Sequence, residues 1–201
     1  MGQALLLTGR PGVGKTTIIR SVVTRLGARA GGFYTEEVRE RGRRTGFRLI
    51  ALDGPTGMLA SVDTRSPYRV GKYRVCLEDL ERVGVAALRR AVDQADLSVV
   101  VVDEIGKMEL TSPAFREAVL AALESPKPVL ATVMARPQPW VDAVKARADV
   151  SVVEVTLDNR QAMPGRILDW LHGVQRCISD SSAHGPVSGQ VSALQATNQK
   201  S

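Results

Sequence analysis

Gly9, Gly14, Lys15 and Thr16 stand in the spacing G-x-x-x-x-G-K-[ST], inside Leu-Leu-Leu-Thr-Gly-Arg-Pro-Gly-Val-Gly-Lys-Thr-Thr at 5–17. That spacing is the phosphate-binding loop. Its glycines let backbone N–H groups turn inward around phosphate oxygens. The helix that follows adds its own first-turn N–H groups and the positive end of its dipole. Lys15 would reach the β- and γ-phosphates, and the Thr16 hydroxyl would ligate Mg²⁺. The candidate cradle for a nucleotide is therefore Gly9, Arg10, Pro11, Gly12, Val13, Gly14, Lys15, Thr16 and Thr17.

A second centre lies at Val99-Val100-Val101-Val102-Asp103-Glu104. An apolar run ending in carboxylates is the Walker B arrangement, in which a buried strand carries an Asp to the C-terminal edge of a sheet, beside the phosphate loop. Asp103 would hold Mg²⁺ through its water shell, because Mg²⁺ gives up water reluctantly. Glu104 would polarise a water for in-line attack on the γ-phosphorus. A strand-end Asp-Glu is common by itself, and the loop upstream is what makes this one specific. Thr132 ends a neighbouring apolar run, where its hydroxyl could sense the γ-phosphate or position water; a β-branched strand residue needs no such role. Lys107 could neutralise charge on the transferring phosphoryl group, or be a plain surface lysine. Asn159-Arg160 could touch base, ribose or phosphates, although a helix-capping Asn with a solvated Arg reads equally well. The catalytic candidates are Lys15, Glu104, Lys107 and Thr132, and the metal candidates are Thr16 and Asp103.

These residues need a scaffold, and the rest of the chain supplies its pattern. Apolar runs alternate with helical spacing, which points to an α/β fold with a mainly parallel sheet and helices on both faces. Strands are expected at 3–8, 97–102, 128–133 and 150–155, and helices at 15–27, 78–95, 112–124, 140–147 and 161–172. Gly27 is a plausible helix stop, while Ser112 and Pro113 suit a cap and a first helical position. Phe33–Val38, Phe47–Leu52 and Met58–Val62 are shorter strand-like runs. The first two flank the Arg-rich stretch 39–46 and read as an antiparallel hairpin inserted beside the parallel sheet. Residues 63–75 read as a polar loop. Beyond 173 the chain is rich in Ser, Gln and Gly, so 1–172 is expected to be the folded domain and 173–201 a disordered tail.

At 201 residues the chain suits one such domain, and with 4% aromatics its core must be filled by aliphatic side chains. Two cysteines, Cys76 and Cys177, make no disulfide framework or metal motif. No secretory signal and no membrane-length apolar run stands out, so the reading is cytoplasmic, without a membrane partner. The net charge of +6 raises the question of nucleic acid. Arg39, Arg41, Arg43, Arg44 and Arg48 fall within ten residues, opposed there only by Glu40. A solvated hairpin tip explains them most simply, contact with a nucleotide's own phosphates next, and nucleic acid least, since stacking aromatics are scarce.

The blocks at 9–17, 31–38 (Gly-Gly-Phe-Tyr-Thr-Glu-Glu-Val), 70–75 (Val-Gly-Lys-Tyr-Arg-Val), 103–110 (Asp-Glu-Ile-Gly-Lys-Met-Glu-Leu) and 158–160 (Asp-Asn-Arg) resemble one family. It is the small nucleoside-triphosphatase family of the thermophile type, related to the human cancer-related nucleoside triphosphatase. The resemblance covers roughly residues 2–172. It implies a three-layer P-loop NTPase fold and slow Mg²⁺-dependent hydrolysis of ATP, GTP and other triphosphates to diphosphate and phosphate, and the expected state is a monomer. The family's phosphate-loop residues carry over to Gly9–Thr16. Its second nucleotide-contacting block falls on Asp103, Glu104, Ile105, Gly106 and Lys107. Two other readings stand beside hydrolysis: a nucleotide or polynucleotide kinase, in which Glu104 serves an acceptor hydroxyl, and a switch or motor subunit.

Overall fold

The computed structural model describes residues 3–183, with side chains placed as far as Arg176. Its first strand, β1 (Ala4–Thr8), divides its residues between two cores. Leu5 and Leu7 pack with Ile18, Ile19, Val22 and Leu26 of helix α1 (Lys15–Leu26), whereas Ala4 and Leu6 join the core on the opposite face. The two-residue period of a strand makes this division unavoidable once both faces are covered.

The chain continues through β2 (Ala30–Glu40), β3 (Arg43–Ala51), β4 (Thr56–Ser61), β5 (Arg69–Val70) and β6 (Tyr73–Val75). A long helix follows, from α2 (Leu77–Asp79) through a π-helical stretch at Leu80–Val85 into α3 (Ala86–Asp93). Then come β7 (Val99–Ile105), α4 (Pro113–Glu124), β8 (Val129–Val133), α5 (Pro139–Lys145), β9 (Val150–Glu154) and α6 (Met163–Ala183). The sheet order among the described residues is β5-β6-β4-β3-β2-β7-β8-β1-β9. Strands β2, β7, β8, β1 and β9 are parallel, and β3 to β6 extend the sheet antiparallel. α1 and α6 cover one face, and α3, α4 and α5 the other. The three-layer α/β expectation holds.

Several expected details differ. The expected antiparallel hairpin does extend the parallel sheet, but it is not a separate insertion, because β2 belongs to both parts. Its first residues pair parallel with β7 (Ala30 with Val99 to Phe33 with Val102), and from Phe33 onward it pairs antiparallel with β3. Gly32 permits this: at φ +108° its position would put a Cβ 2.0 Å from the Val101 carbonyl oxygen, a spot no side chain can occupy. The Arg-rich stretch is strand rather than loop, with only Arg41 and Gly42 between β2 and β3. Residues 63–75 contain the small β5–β6 hairpin instead of ending as a loop. The π-helical stretch brings Gly84 under Phe33 and Leu49. Ser112 does cap α4, its Oγ accepting from the Phe115 N–H at 3.1 Å, with Pro113 at the first turn.

Helix α6 runs past the expected stop at Gly173 to Ala183. A mid-helix glycine costs about 1 kcal/mol, and burial of a valine is worth roughly 1.5–3 kcal/mol; Val174, the next residue, is buried. The expected disordered tail therefore begins with helix, and its residues 184–201 lie outside the described ones. No helix among the described residues is long and apolar enough to cross a membrane.

Candidate active site

The parallel strands β1, β7 and β8 end on one edge of the sheet, and there the chemistry gathers. β1 delivers the chain to Gly9, whose φ of +139° and close approach to Val155 (a Cβ would stand 2.6 Å from its carbonyl oxygen) leave room for no side chain. The loop then turns into α1 at Lys15, with the Ile18 N–H bonding the Gly14 carbonyl. The Lys15 ammonium lies back across the loop, donating to the Gly9 carbonyl at 3.2 Å.

A cavity of about 680 Å³ opens over this loop. It is lined by Pro11, Gly12, Gly14, Lys15, Thr16 and Thr17 of the loop and first turn of α1, by Arg20 further along α1, by Thr35, Glu36 and Glu37 of β2, Arg44 and Phe47 of β3, and Glu104 of β7. That volume falls in the ordinary range for a small-molecule site.

Asp103 is buried behind the cavity. Its Oδ1 accepts from the Thr132 hydroxyl at 2.6 Å, and its Oδ2 lies 3.4 Å from both the N–H and the hydroxyl of Thr35. Burial pushes the Asp103 carboxyl upward, while hydrogen bonds from Thr132, Thr16 and Thr35 and the charge of Lys15 pull the other way. Burial also raises Glu104; Lys15 opposes the shift and neighbouring Asp103 reinforces it. Glu109 is enclosed behind Gly106, and burial, with Glu104 and Asp103 nearby, pushes it up to about 8. Burial thus favours its neutral form, which limits the negative charge gathered beside the acid pair.

The site fits Mg²⁺. Thr16 and Asp103 offer a hydroxyl and a carboxylate close enough for the hydroxyl to favour the ionised acid, a set of hard oxygen donors. Lys15 supplies positive charge to the buried carboxylate, and a divalent ion would compensate it further.

The expected site residues separate into groups. Six of the nine loop residues, together with Glu104, line the cavity; Gly9 forms the loop's entry, Val13 is buried beneath it, and Arg10 is exposed. The Thr132 side chain is committed to Asp103 rather than facing a γ-phosphate, and β8, which carries it, lies between β1 and β7. Although β8 separates their strands, Asp103 still stands near enough to the loop to feel the charge of Lys15. Ile105 and Gly106 are buried, and Lys107 is exposed and outside the cavity lining. Asn159 closes its own turn: its Oδ1 accepts from the Thr156 N–H at 2.9 Å, and its Nδ2 donates to the Glu154 carbonyl at 2.8 Å. Arg160 is exposed. Sequence reasoning missed Thr35, Glu37, Phe47 and Glu109, although Thr35 and Glu37 lie within the block at 31–38 and Glu109 within that at 103–110; it named Arg44 only as one of five arginines that could meet a nucleotide's phosphates.

The basic stretch also resolves differently from its composition. Glu37, across the hairpin, meets Arg39 and Arg44, each at 2.6 Å, and Glu36 meets Arg20 at 3.0 Å. Arg39, Arg41, Arg43 and Arg48 are exposed and outside the cavity lining, as a solvated hairpin requires. Arg44, also exposed, differs in lining the cavity.

Thr132→Val keeps the shape of the side chain and removes the bond that orients Asp103. Loss of such a supporting contact at a metal ligand lowers metal affinity or activity by roughly 10–100-fold. The variant should therefore need a higher Mg²⁺ concentration for half-maximal turnover. An unchanged Mg²⁺ titration would show that Asp103 does not depend on this bond.

A phosphate loop opening the helix after β1, an acid pair at the end of β7, and β8 between those two strands define a P-loop nucleoside-triphosphate-binding protein. The family profile described as NTPase matches residues 4–168, and the chain belongs to this NTPase family. Nucleoside-triphosphatase THEP1 of Thermotoga sp. (strain RQ2) is 52% identical over 167 residues, spanning 83% of this chain and 94% of that protein. Nucleoside-triphosphatase THEP1 of Methanopyrus kandleri is 42% identical over 181 residues, spanning 85% and 98%. Among solved structures, THEP1 from the hyperthermophile Aquifex aeolicus matches with a TM-score of 0.77 at 38% identity, covering 84% of this chain and 98% of that one. The solution structure of a human cancer-related nucleoside triphosphatase matches with a TM-score of 0.73 at 38% identity, covering 86% and 98%. The family resemblance read from the sequence holds.

Proposed function

We propose that this chain hydrolyses Mg²⁺-bound nucleoside triphosphates, ATP and GTP among them, to the diphosphate and inorganic phosphate, acting in the cytoplasm as a monomer. The observation that carries this reading is the convergence of Lys15, Thr16 and Glu104 on one cavity, with Asp103 held behind them. The loop N–H groups bind the β-phosphate, and Lys15 turns from the Gly9 carbonyl to the β- and γ-oxygens. Thr16 and Asp103 would hold a Mg²⁺, whose chemistry would be to neutralise charge on the phosphates. Glu104 orients a water on the γ-phosphorus and takes its proton as the new P–O bond forms. The bond to the bridging oxygen breaks, and the diphosphate leaves. Burial makes Glu104 a stronger base than a free carboxylate, which suits proton abstraction near neutral pH. Thr132 positions Asp103.

Phosphate release distinguishes hydrolysis from phosphoryl transfer to another acceptor. Purified chain given Mg²⁺ and ATP or GTP should release one phosphate per triphosphate consumed. Nucleoside monophosphates or polynucleotide 5′-ends should not change that ratio, and chelation of the Mg²⁺ should stop the reaction. Acceptor phosphorylation at the expense of free phosphate would replace this reading with a kinase.

A further inference from the structure

We propose that Arg44 is a catalytic arginine supplied within the chain: it reaches from the β2–β3 hairpin into the phosphate cavity and binds the γ-phosphoryl oxygens as charge develops on them. This rests on the hydrolytic reading above and adds a residue to it.

Of the five arginines at 39–48, only Arg44 lines the cavity that holds Lys15, Thr16 and Glu104. Its side chain is held from several directions. The Nε donates to the Tyr73 hydroxyl at 2.9 Å, and Nη1 donates to Glu37 Oε1 at 2.6 Å. The guanidinium carbon stands 4.9 Å from the Phe47 ring centroid and 5.8 Å from that of Tyr73. Its backbone is tied as well, since the Arg44 carbonyl accepts from Lys72 Nζ at 3.1 Å and from the Tyr73 hydroxyl at 3.4 Å. A long side chain fixed this way loses little further freedom when it meets an anion.

The fixation leaves binding capacity over. A guanidinium has five N–H donors, and two of those on Arg44 are used by Tyr73 and Glu37; the rest have no hydrogen-bond partner among the described residues. Glu37 is shared with Arg39 at 2.6 Å, so one carboxylate faces two guanidinium groups and an excess positive charge remains there. That charge borders a cavity whose other cation from the loop, Lys15, is a single ammonium without a planar fork. In phosphoryl transfer, charge spreads over the three equatorial oxygens, and a preset donor pair aimed at them acts without reorganising during the reaction.

This assignment also gives a shared role to residues of two further sequence blocks. Glu37 comes from the block at 31–38, and Lys72 and Tyr73 from that at 70–75. Through β6, β4 and β3 those residues meet at Arg44.

The test uses the whole chain, with Arg44→Ala and Arg44→Lys as probes, Tyr73→Phe to loosen the arginine, and Arg43→Ala as a control on the same hairpin. Turnover, Mg²⁺·ADP affinity, and Mg²⁺·ADP affinity with aluminium fluoride as transition-state mimic are measured for each. Arg44→Ala and Arg44→Lys should lose about 10²-fold or more in kcat. They should bind ADP within about twofold of wild type and lose the tightening that aluminium fluoride brings. Tyr73→Phe should show the same pattern more weakly, and Arg43→Ala should match wild type. If Arg44→Ala melts early, Arg44→Lys and Tyr73→Phe carry the test. Normal kcat in the Arg44 variants overturns the proposal, as does equal weakening of ADP with and without aluminium fluoride. A loss confined to polynucleotide binding overturns it too. A wild-type chain that hydrolyses no triphosphate fails the hydrolytic reading itself, a different result.

Discussion

Glu104→Gln should bind Mg²⁺·ATP about as tightly as the wild-type chain while hydrolysing it roughly 10²-fold more slowly, or worse. Glutamine fills the same space and still offers hydrogen bonds, but it cannot take a proton from water. The expectation is sharp because Glu104 is the member of the acid pair that lines the phosphate cavity, whereas Asp103 is buried behind it and bonded to Thr132. Asp103→Asn should behave differently and weaken Mg²⁺-dependent binding as well as turnover. Fluorescent-nucleotide titration alongside single-turnover phosphate release separates the two effects. Normal hydrolysis by Glu104→Gln would mean that another group handles the water.

Lys15→Ala is expected to abolish turnover and weaken triphosphate binding while leaving the fold intact. The ammonium lies at the cavity and its hydrogen bond is to the Gly9 carbonyl at 3.2 Å, so its removal opens no hole in either core. What is lost is the positive charge that bridges the β- and γ-phosphates. Thermal melts should coincide with wild type within a few degrees, and phosphate release should fall to background. A well-folded Lys15→Ala chain with normal kcat would remove the loop from the mechanism.

The parts of this site legible in the sequence are those whose neighbours in space are neighbours in the chain. Gly9 to Thr17 needs only a strand before it and a helix after it, and both are written in adjacent residues. Val99–Val102 announces a strand buried on both faces, and the acid pair that follows must then reach the sheet edge. Ser112 and Pro113 mark a helix start by local hydrogen bonding alone. What stayed hidden depends on pairing across the chain. No local pattern says that β8 lies between β1 and β7, so the commitment of Thr132 to Asp103 could not be read. Thr35 meets Asp103 only because β2 pairs with β7 through Gly32. The five hairpin arginines look equivalent in sequence. Only the register of β2 on β3 and the approach of Tyr73 from β6 single out Arg44. Asn159 was ambiguous for the opposite reason, since a residue able to touch a base can equally close its own turn, as it does here.

The central claim is that water, activated at Glu104, attacks the γ-phosphorus of a triphosphate seated on the Gly9–Thr16 loop. Turnover of ATP in isotopically heavy-oxygen water, followed by mass analysis of both products, tests it most directly. The account predicts one heavy oxygen in each phosphate released under single-turnover conditions and none in the ADP. Heavy oxygen in the ADP, or consumption of ATP without labelled phosphate, would contradict it.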